Sequence, residues 1–216
     1  MRPQLVLFDC DGVLVDSERI TVAVEARVLT SLGWPITPDE VVRRWMGRTG
    51  SAQVAEVAER LGPEAAERYD AESTAEVHRA FRTELTEVDG ISLLVDHLEA
   101  AGVPTCVASS GTHTRMAATL GITGLRDRFD GRIFSASEVG RGKPAPDLFL
   151  HAAARMGAPP AGCVVIEDSP YGVQAGVAAG MRVLGYGGGL VDADVLAGAG
   201  AEVFGHMSEV PALLGV

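Results

Sequence analysis

Four short apolar runs, each rich in β-branched residues and each ending in or just before a polar residue, constrain the fold of this chain more than any other feature. They are LVLFD (5 to 9), TCVAS (105 to 109), CVVIED (163 to 168) and RVLGY (182 to 186). Continuous apolar runs of this length mark strands buried on both faces, as in a parallel sheet. Helix-period stretches follow, THTRMAATLGI after the second run and SPYGVQAGVAAG after the third. Strand alternating with helix predicts a doubly wound α/β core. A parallel sheet delivers the carboxyl ends of its strands to one rim, and ligands bind at that rim.

The segment from 16 to 87 breaks the rhythm. ERITVAVEARVLTSLG, SAQVAEVAERLG and EAAERYDAESTAEVHRAFRTEL all carry a helical period with charged outer faces. They predict a small all-helical cap domain over 16–87, inserted after the first strand, with an α/β catalytic core made of 1–15 and 88–216. An insertion there is expected to act as a lid. GYGGGL (185 to 190) lacks the third glycine of a dinucleotide loop and is expected to be a flexible loop. Gly172, Gly176 and Gly180 recur on one helix face, as close helix-to-sheet packing requires.

A formal net charge of −11 disfavours nucleic acid and anionic membrane surfaces as partners. No apolar run approaches the length of a spanning helix, and MRPQLVLFDCDG turns polar too early for a signal peptide, so a cytoplasmic location is expected. Cys10, Cys106 and Cys163 are an odd set, each in or beside an apolar run, and are expected to be buried free thiols. Composition does not set the oligomeric state; a monomer is compatible with it.

The polar residues that end the runs carry the chemistry. Asp9 closes the first and Asp11 follows two residues later in FDCDG; Glu167 and Asp168 close the third. Each signal has a plain alternative. DxDG is also turn chemistry, and Asp168 or Ser169 before Pro170 is also a helix cap. Ser109 and Ser110 serve equally as turn residues or, at a helix N-terminus with Gly111, as a phosphate cradle. An EF-hand is excluded because Gly12 is fourth rather than sixth in its loop. If the strand ends converge, four carboxylates share one site. Two of them about 4 Å apart repel by roughly 4 kcal/mol at an effective dielectric near 20. A divalent cation and an ammonium relieve that repulsion, and oxygen donors without histidine or thiolate favour Mg²⁺. Lys143, in GRGKPAPD, is the only lysine; the other 17 basic residues are arginine. Its ammonium is a compact point charge where a guanidinium is a broad fork. Pro144 and Pro146 are expected to hold it in an extended loop. Its plain alternative is a surface accident.

FDCDGVLVDSE, VASSG, GKPAPDLF and VIEDSPYGVQAG together resemble the four signatures of the haloacid dehalogenase superfamily, in family order. The branch they resemble is the β-phosphoglucomutase-like and phosphoglycolate phosphatase-like one with a helical cap. The resemblance implies Asp9 as nucleophile, Asp11 as general acid and base, and Ser109 as ligand of the phosphoryl group. It implies Lys143 as charge neutraliser, and Mg²⁺ held by Asp9, the Asp11 carbonyl and Asp168, with Glu167 as a further ligand or beside them. WMGRTG resembles the substrate-contact loop of the family, which implies that Arg48, backed by Gly47 and Thr49, meets the substrate; the plain alternative is a solvated surface arginine. The expected activity is hydrolysis of a small phosphorylated metabolite, a sugar phosphate. The mutases of this branch use a cap lysine and a histidine after the first signature. Here residues 16–87 contain no lysine and Thr21 stands in the histidine's place, which argues against a mutase. A phospho-aspartate receiver domain is the non-enzyme alternative, but its acidic pair precedes the phosphorylated aspartate.

Overall fold

A computed structural model describes the chain over residues 2–46 and 50–216. Two compact units emerge: Met1–Asp16 with Thr86–Val216, and Ser17–Leu85.

The helical unit holds α1 (Ser17–Ser31), α2 (Pro38–Trp45), α3 (Gly50–Leu61) and α4 (Pro63–Glu84). Thr37 starts α2 with a reciprocal capping box to Glu40, and Pro38 follows at the first helical position. Its interior includes Trp34, Trp45, Val57 and Tyr69, all buried, with the two indoles edge to face at 5.5 Å. Trp45 Nε1 donates to Glu56 at 2.9 Å, so the indole is buried with its polar handle satisfied.

The other unit is built on six strands, all parallel, in the order β3-β2-β1-β4-β5-β6. They are β1 (Leu5–Phe8), β2 (Thr105–Ser109), β3 (Ile133–Ser135), β4 (Cys163–Glu167), β5 (Arg182–Tyr186) and β6 (Glu202–Phe204). Helices α5 (Ile91–Ala100), α6 (His113–Ile122), α7 (Asp147–Arg155), α8 (Pro170–Ala178) and α9 (Ala193–Ala199) pack against the sheet, and α10 (Val210–Leu214) ends the chain. The doubly wound α/β core is therefore present, and the four apolar runs are β1, β2, β4 and β5. All four residues of β1 are fully buried, as a strand covered on both faces must be. All three cysteines are buried free thiols.

Sheet order places the site. Strand order reverses at β1, which lies between β2 and β4. Phe8 pairs with Val107 on one side and Ile166 on the other, so Asp9, Ser109 and Glu167 leave the sheet at the same rim. The chain leaves and rejoins this unit at adjacent points: the Asp16 N–H donates to the Thr86 carbonyl at 3.0 Å.

Three local readings are corrected. Lys143 lies in a tight turn, not an extended stretch: the Ala145 N–H closes it on the Gly142 carbonyl at 3.0 Å, and the Lys143–Pro144 peptide is cis. GYGGGL is packed rather than open. Gly185 belongs to β5, and a Cβ on Gly188 would meet Tyr186 Oη at 2.6 Å. Of the three spaced glycines only Gly176 serves sheet packing, its virtual Cβ 2.6 Å from Val183. Gly172 faces Glu167, and Gly180 ends the helix in the left-handed region at φ +72.

Candidate active site

The site is built from four chain segments that meet at the sheet rim. Asp9 follows β1 directly; its residue is 8% exposed, and Glu167 and Asp168 at the end of β4 are 0% and 2% exposed. Ser169, not Asp168, caps α8, accepting from the Gly172 N–H at 3.1 Å. That leaves Asp168 to the site. One oxygen from each of Asp9, Glu167 and Asp168 lies within 4.8 Å of the others.

Lys143 is brought into this cluster. Its Nζ donates to Asp9 Oδ1 at 2.6 Å and to Glu167 Oε1 at 2.6 Å, and it stands 5.0 Å from the centre of the Phe149 ring. The side chain is 6% exposed, which removes the surface-accident alternative. Burial opposes its charge, but the Asp9 and Glu167 carboxylates outweigh burial and hold the ammonium protonated, above its ordinary value. Burial also pushes the Asp9 carboxyl up, to about 7, against the pull of Lys143; the charge of Glu167 adds to the rise. One ammonium does not balance three buried carboxylates.

Glu167 holds the local geometry. Its Oε2 accepts from the Asp168 N–H at 3.0 Å, the Ser169 N–H at 2.9 Å and the Ser169 hydroxyl at 2.9 Å, while Oε1 takes Lys143. Two glycines make room for the carboxylates. A Cβ on Gly172 would fall 1.7 Å from Glu167 Oε1, and one on Gly12, at φ +78, would fall 1.9 Å from Asp168 Oδ2.

Ser109 ends β2, 2% exposed, and its Oγ accepts from the Gly111 N–H at 3.1 Å. The Ser135 hydroxyl fastens the same loop by donating to the Gly111 carbonyl at 2.7 Å. Ser110, next to it, is exposed. This loop leads into α6, whose N-cap Thr112 accepts from the Arg115 N–H.

Asp11 departs from the expected cluster of four. Its carboxylate is engaged by Arg115, with Nη2 to Oδ1 at 3.0 Å and Nε to Oδ2 at 3.3 Å. Arg115 is the residue that reading the sequence missed. Within THTRM it looks like any helix arginine, and nothing in the spacing ties residue 115 to residue 11. The acidic charge is thus shared between two cations, Lys143 for Asp9 and Glu167, Arg115 for Asp11. Gly47, Arg48 and Thr49 lie outside the described residues.

Oxygen-only donors in a buried, net-negative cluster fit a hard divalent cation such as Mg²⁺, which relieves the repulsion that one ammonium leaves.

Fold and site together define an enzyme, a hydrolase on a doubly wound parallel sheet. Residues 3–180 match the haloacid dehalogenase-like hydrolases, and the chain belongs to that family. It is 35% identical over 184 residues to the 6-phosphogluconate phosphatase of Escherichia coli K12, covering 84% of this chain and 81% of that one. Among solved structures it is similar to a haloacid dehalogenase family hydrolase from Deinococcus radiodurans with bound phosphate and sodium. That likeness has a TM-score of 0.84 and 33% identity, covering 99% of this chain and 96% of the other. It is also similar to a putative β-phosphoglucomutase from Thermotoga maritima, with a TM-score of 0.81 and 29% identity over 98% of each chain.

Proposed function

We propose that the chain is a Mg²⁺-dependent phosphatase of a small phosphorylated metabolite, a sugar phosphate, working through a phosphoryl group carried on Asp9. The observation that carries this reading is the buried Lys143 ammonium bonded to both Asp9 and Glu167 at 2.6 Å. A carboxylate that attacks a phosphate must approach negative charge, and a fixed ammonium beside it lowers that barrier without reorganising.

An Asp9 oxygen attacks phosphorus, the P–O bond to the alcohol breaks, and the leaving oxygen takes the proton of Asp11. Water then attacks the phosphoryl group and gives a proton to Asp11, the bond to Asp9 breaks, and phosphate leaves. Ser109 and the Ser110 amide hold the transferring group ahead of α6, with the Gly111 amide turning to it from Ser109 Oγ. Asp9, Asp168 and the Asp11 carbonyl would hold Mg²⁺, which when bound supplies positive charge against the phosphoryl oxygens. Glu167, already accepting from four donors, orients Lys143 and the turn before α8.

The substrate class follows the relatives: one is named for a phosphorylated sugar acid, and another was solved with phosphate. On the family resemblance alone, residues 16–87 take the part of the cap, with Gly47, Arg48 and Thr49 as the residues to test for substrate contact. Among the described residues no helix is long and apolar enough to cross a membrane.

Hydrolysis of p-nitrophenyl phosphate and then of a panel of sugar phosphates, each with and without EDTA, tests the reading. Metal-dependent phosphate release is expected; turnover indifferent to EDTA would contradict it. The likeness to a putative β-phosphoglucomutase keeps a mutase as the second reading. Conversion of β-glucose 1-phosphate to the 6-phosphate faster than to free phosphate would favour it.

A further inference from the structure

We propose that Arg115 is a positioning residue for Asp11, fixing the angle at which that carboxylate exchanges its proton, first with the leaving oxygen and then with water; this rests on the phosphatase reading above. The guanidinium fork meets both oxygens of Asp11, at 3.0 and 3.3 Å, across 104 residues of sequence. Two parallel contacts fix the plane of a carboxylate, which a single contact does not.

Both partners are themselves held. The backbone N–H of Arg115 is bound by the Thr112 side chain at 3.2 Å and its carbonyl accepts from Thr119 at 3.1 Å, so the arginine starts from the first turn of a capped helix. Asp11 sits in the turn that Gly12 makes possible, closed by the Gly12 N–H on the Val15 carbonyl at 2.8 Å. Arg115 also passes the phosphoryl loop: a Cβ on Gly111 would touch its Cδ at 3.7 Å and Ser109 Oγ at 3.5 Å. The Asp11 side chain, 21% exposed, is open enough to meet a substrate. Lys143 is committed to Asp9 and Glu167, so Asp11 has its own cation.

A purely structural ion pair at this exposure contributes little to stability and would leave the rate unchanged. A positioning role makes a different signature. Arg115→Met and Arg115→Lys are compared with the wild-type chain on an alkyl phosphate and on p-nitrophenyl phosphate, whose phenolate leaves without a proton. With the alkyl ester, Arg115→Met is expected to lose about tenfold to a hundredfold in kcat, part of the roughly 10²–10⁴ that a general acid and base contributes. KM stays in place and Arg115→Lys recovers part of the loss. With p-nitrophenyl phosphate, Arg115→Met keeps a burst of nitrophenol followed by a slowed steady rate, because only the second step still needs Asp11. In an Asp11→Asn background, adding Arg115→Met changes nothing further.

A rise in KM with kcat intact would make Arg115 a substrate ligand and overturn the proposal. So would losses that add to those of Asp11→Asn, or wild-type rates in a folded Arg115→Met. A wild-type chain inert to both esters would sink the phosphatase reading, and this proposal with it; an active wild type with an unaffected variant sinks the proposal alone.

Discussion

Replacing Lys143 by arginine keeps the charge and tests its shape. The ammonium lies 2.6 Å from two carboxylates in a place almost closed to solvent, and a planar guanidinium does not reach both along the same lines. Lys143→Arg is expected to lose roughly 10²-fold or more in kcat, the scale of one preorganised electrostatic contact. Lys143→Met removes the cation from two buried carboxylates, Asp9 and Glu167. It is expected to cost about 3–5 kcal/mol of stability, read by urea unfolding without metal. Much at this scale was legible: a lone lysine among 17 arginines and acidic strand ends on a parallel sheet are visible in the letters. The division of charge was not. Whether Asp11 joins the other carboxylates depends on which cation reaches it, and Arg115 arrives from a helix 104 residues away. The glycine at 172 was also read for the wrong partner, because helix period gives the face and not the side chain it meets.

Elements respond to a methyl group according to what stands above it. Gly172→Ala puts a Cβ 1.7 Å from Glu167 Oε1, while Gly121→Ala, in α6, meets nothing within 4 Å. Helix propensity alone favours both by about 1 kcal/mol. The clash reverses the first: Gly172→Ala is expected to destabilise by about 1–3 kcal/mol and to lower activity, whereas Gly121→Ala stabilises slightly, both read by thermal unfolding. Glu138 ties three elements. It accepts from the Ser135 N–H at 2.7 Å, and it meets His113 of α6 at 2.9 Å and His151 of α7 at 3.2 Å. Burial opposes its ionisation, but the Ser135 N–H and the two rings outweigh burial and hold its carboxyl below the ordinary value. A depressed carboxyl stabilises the fold above its unfolded pKa and loses that contribution as pH falls through its folded one. The melting temperature is therefore expected to fall as pH drops below about 4.5, and Glu138→Gln is expected to flatten that part of the profile. Strands were legible where they are long. β1, β2, β4 and β5 were found within a residue of their ends, while β3 and β6 were missed. Each is three residues at or near an edge, too short to show a period and partly polar, as GRIFSAS and AEVFG are.

At the scale of the molecule, a sheet order that reverses at β1 brings residues 9, 109, 143 and 167–168 to one rim, and that rim is acidic in a chain already at −11. A divalent cation bound there would be linked to folding: at a hundred times its Kd it would add about 2.7 kcal/mol. Mg²⁺ is expected to raise the melting temperature of the wild-type chain and to leave that of Asp168→Asn nearly unchanged. The proposed covalent step on Asp9 is the claim on which the rest depends. Asp11→Asn, mixed with p-nitrophenyl phosphate, whose phenolate leaves without the proton of Asp11, is quenched in acid and its peptides are weighed. One phosphoryl group on the peptide that carries Asp9, absent from Asp9→Asn, is the expected result; full turnover by Asp9→Asn, or a phosphoryl group on any other residue, would contradict it.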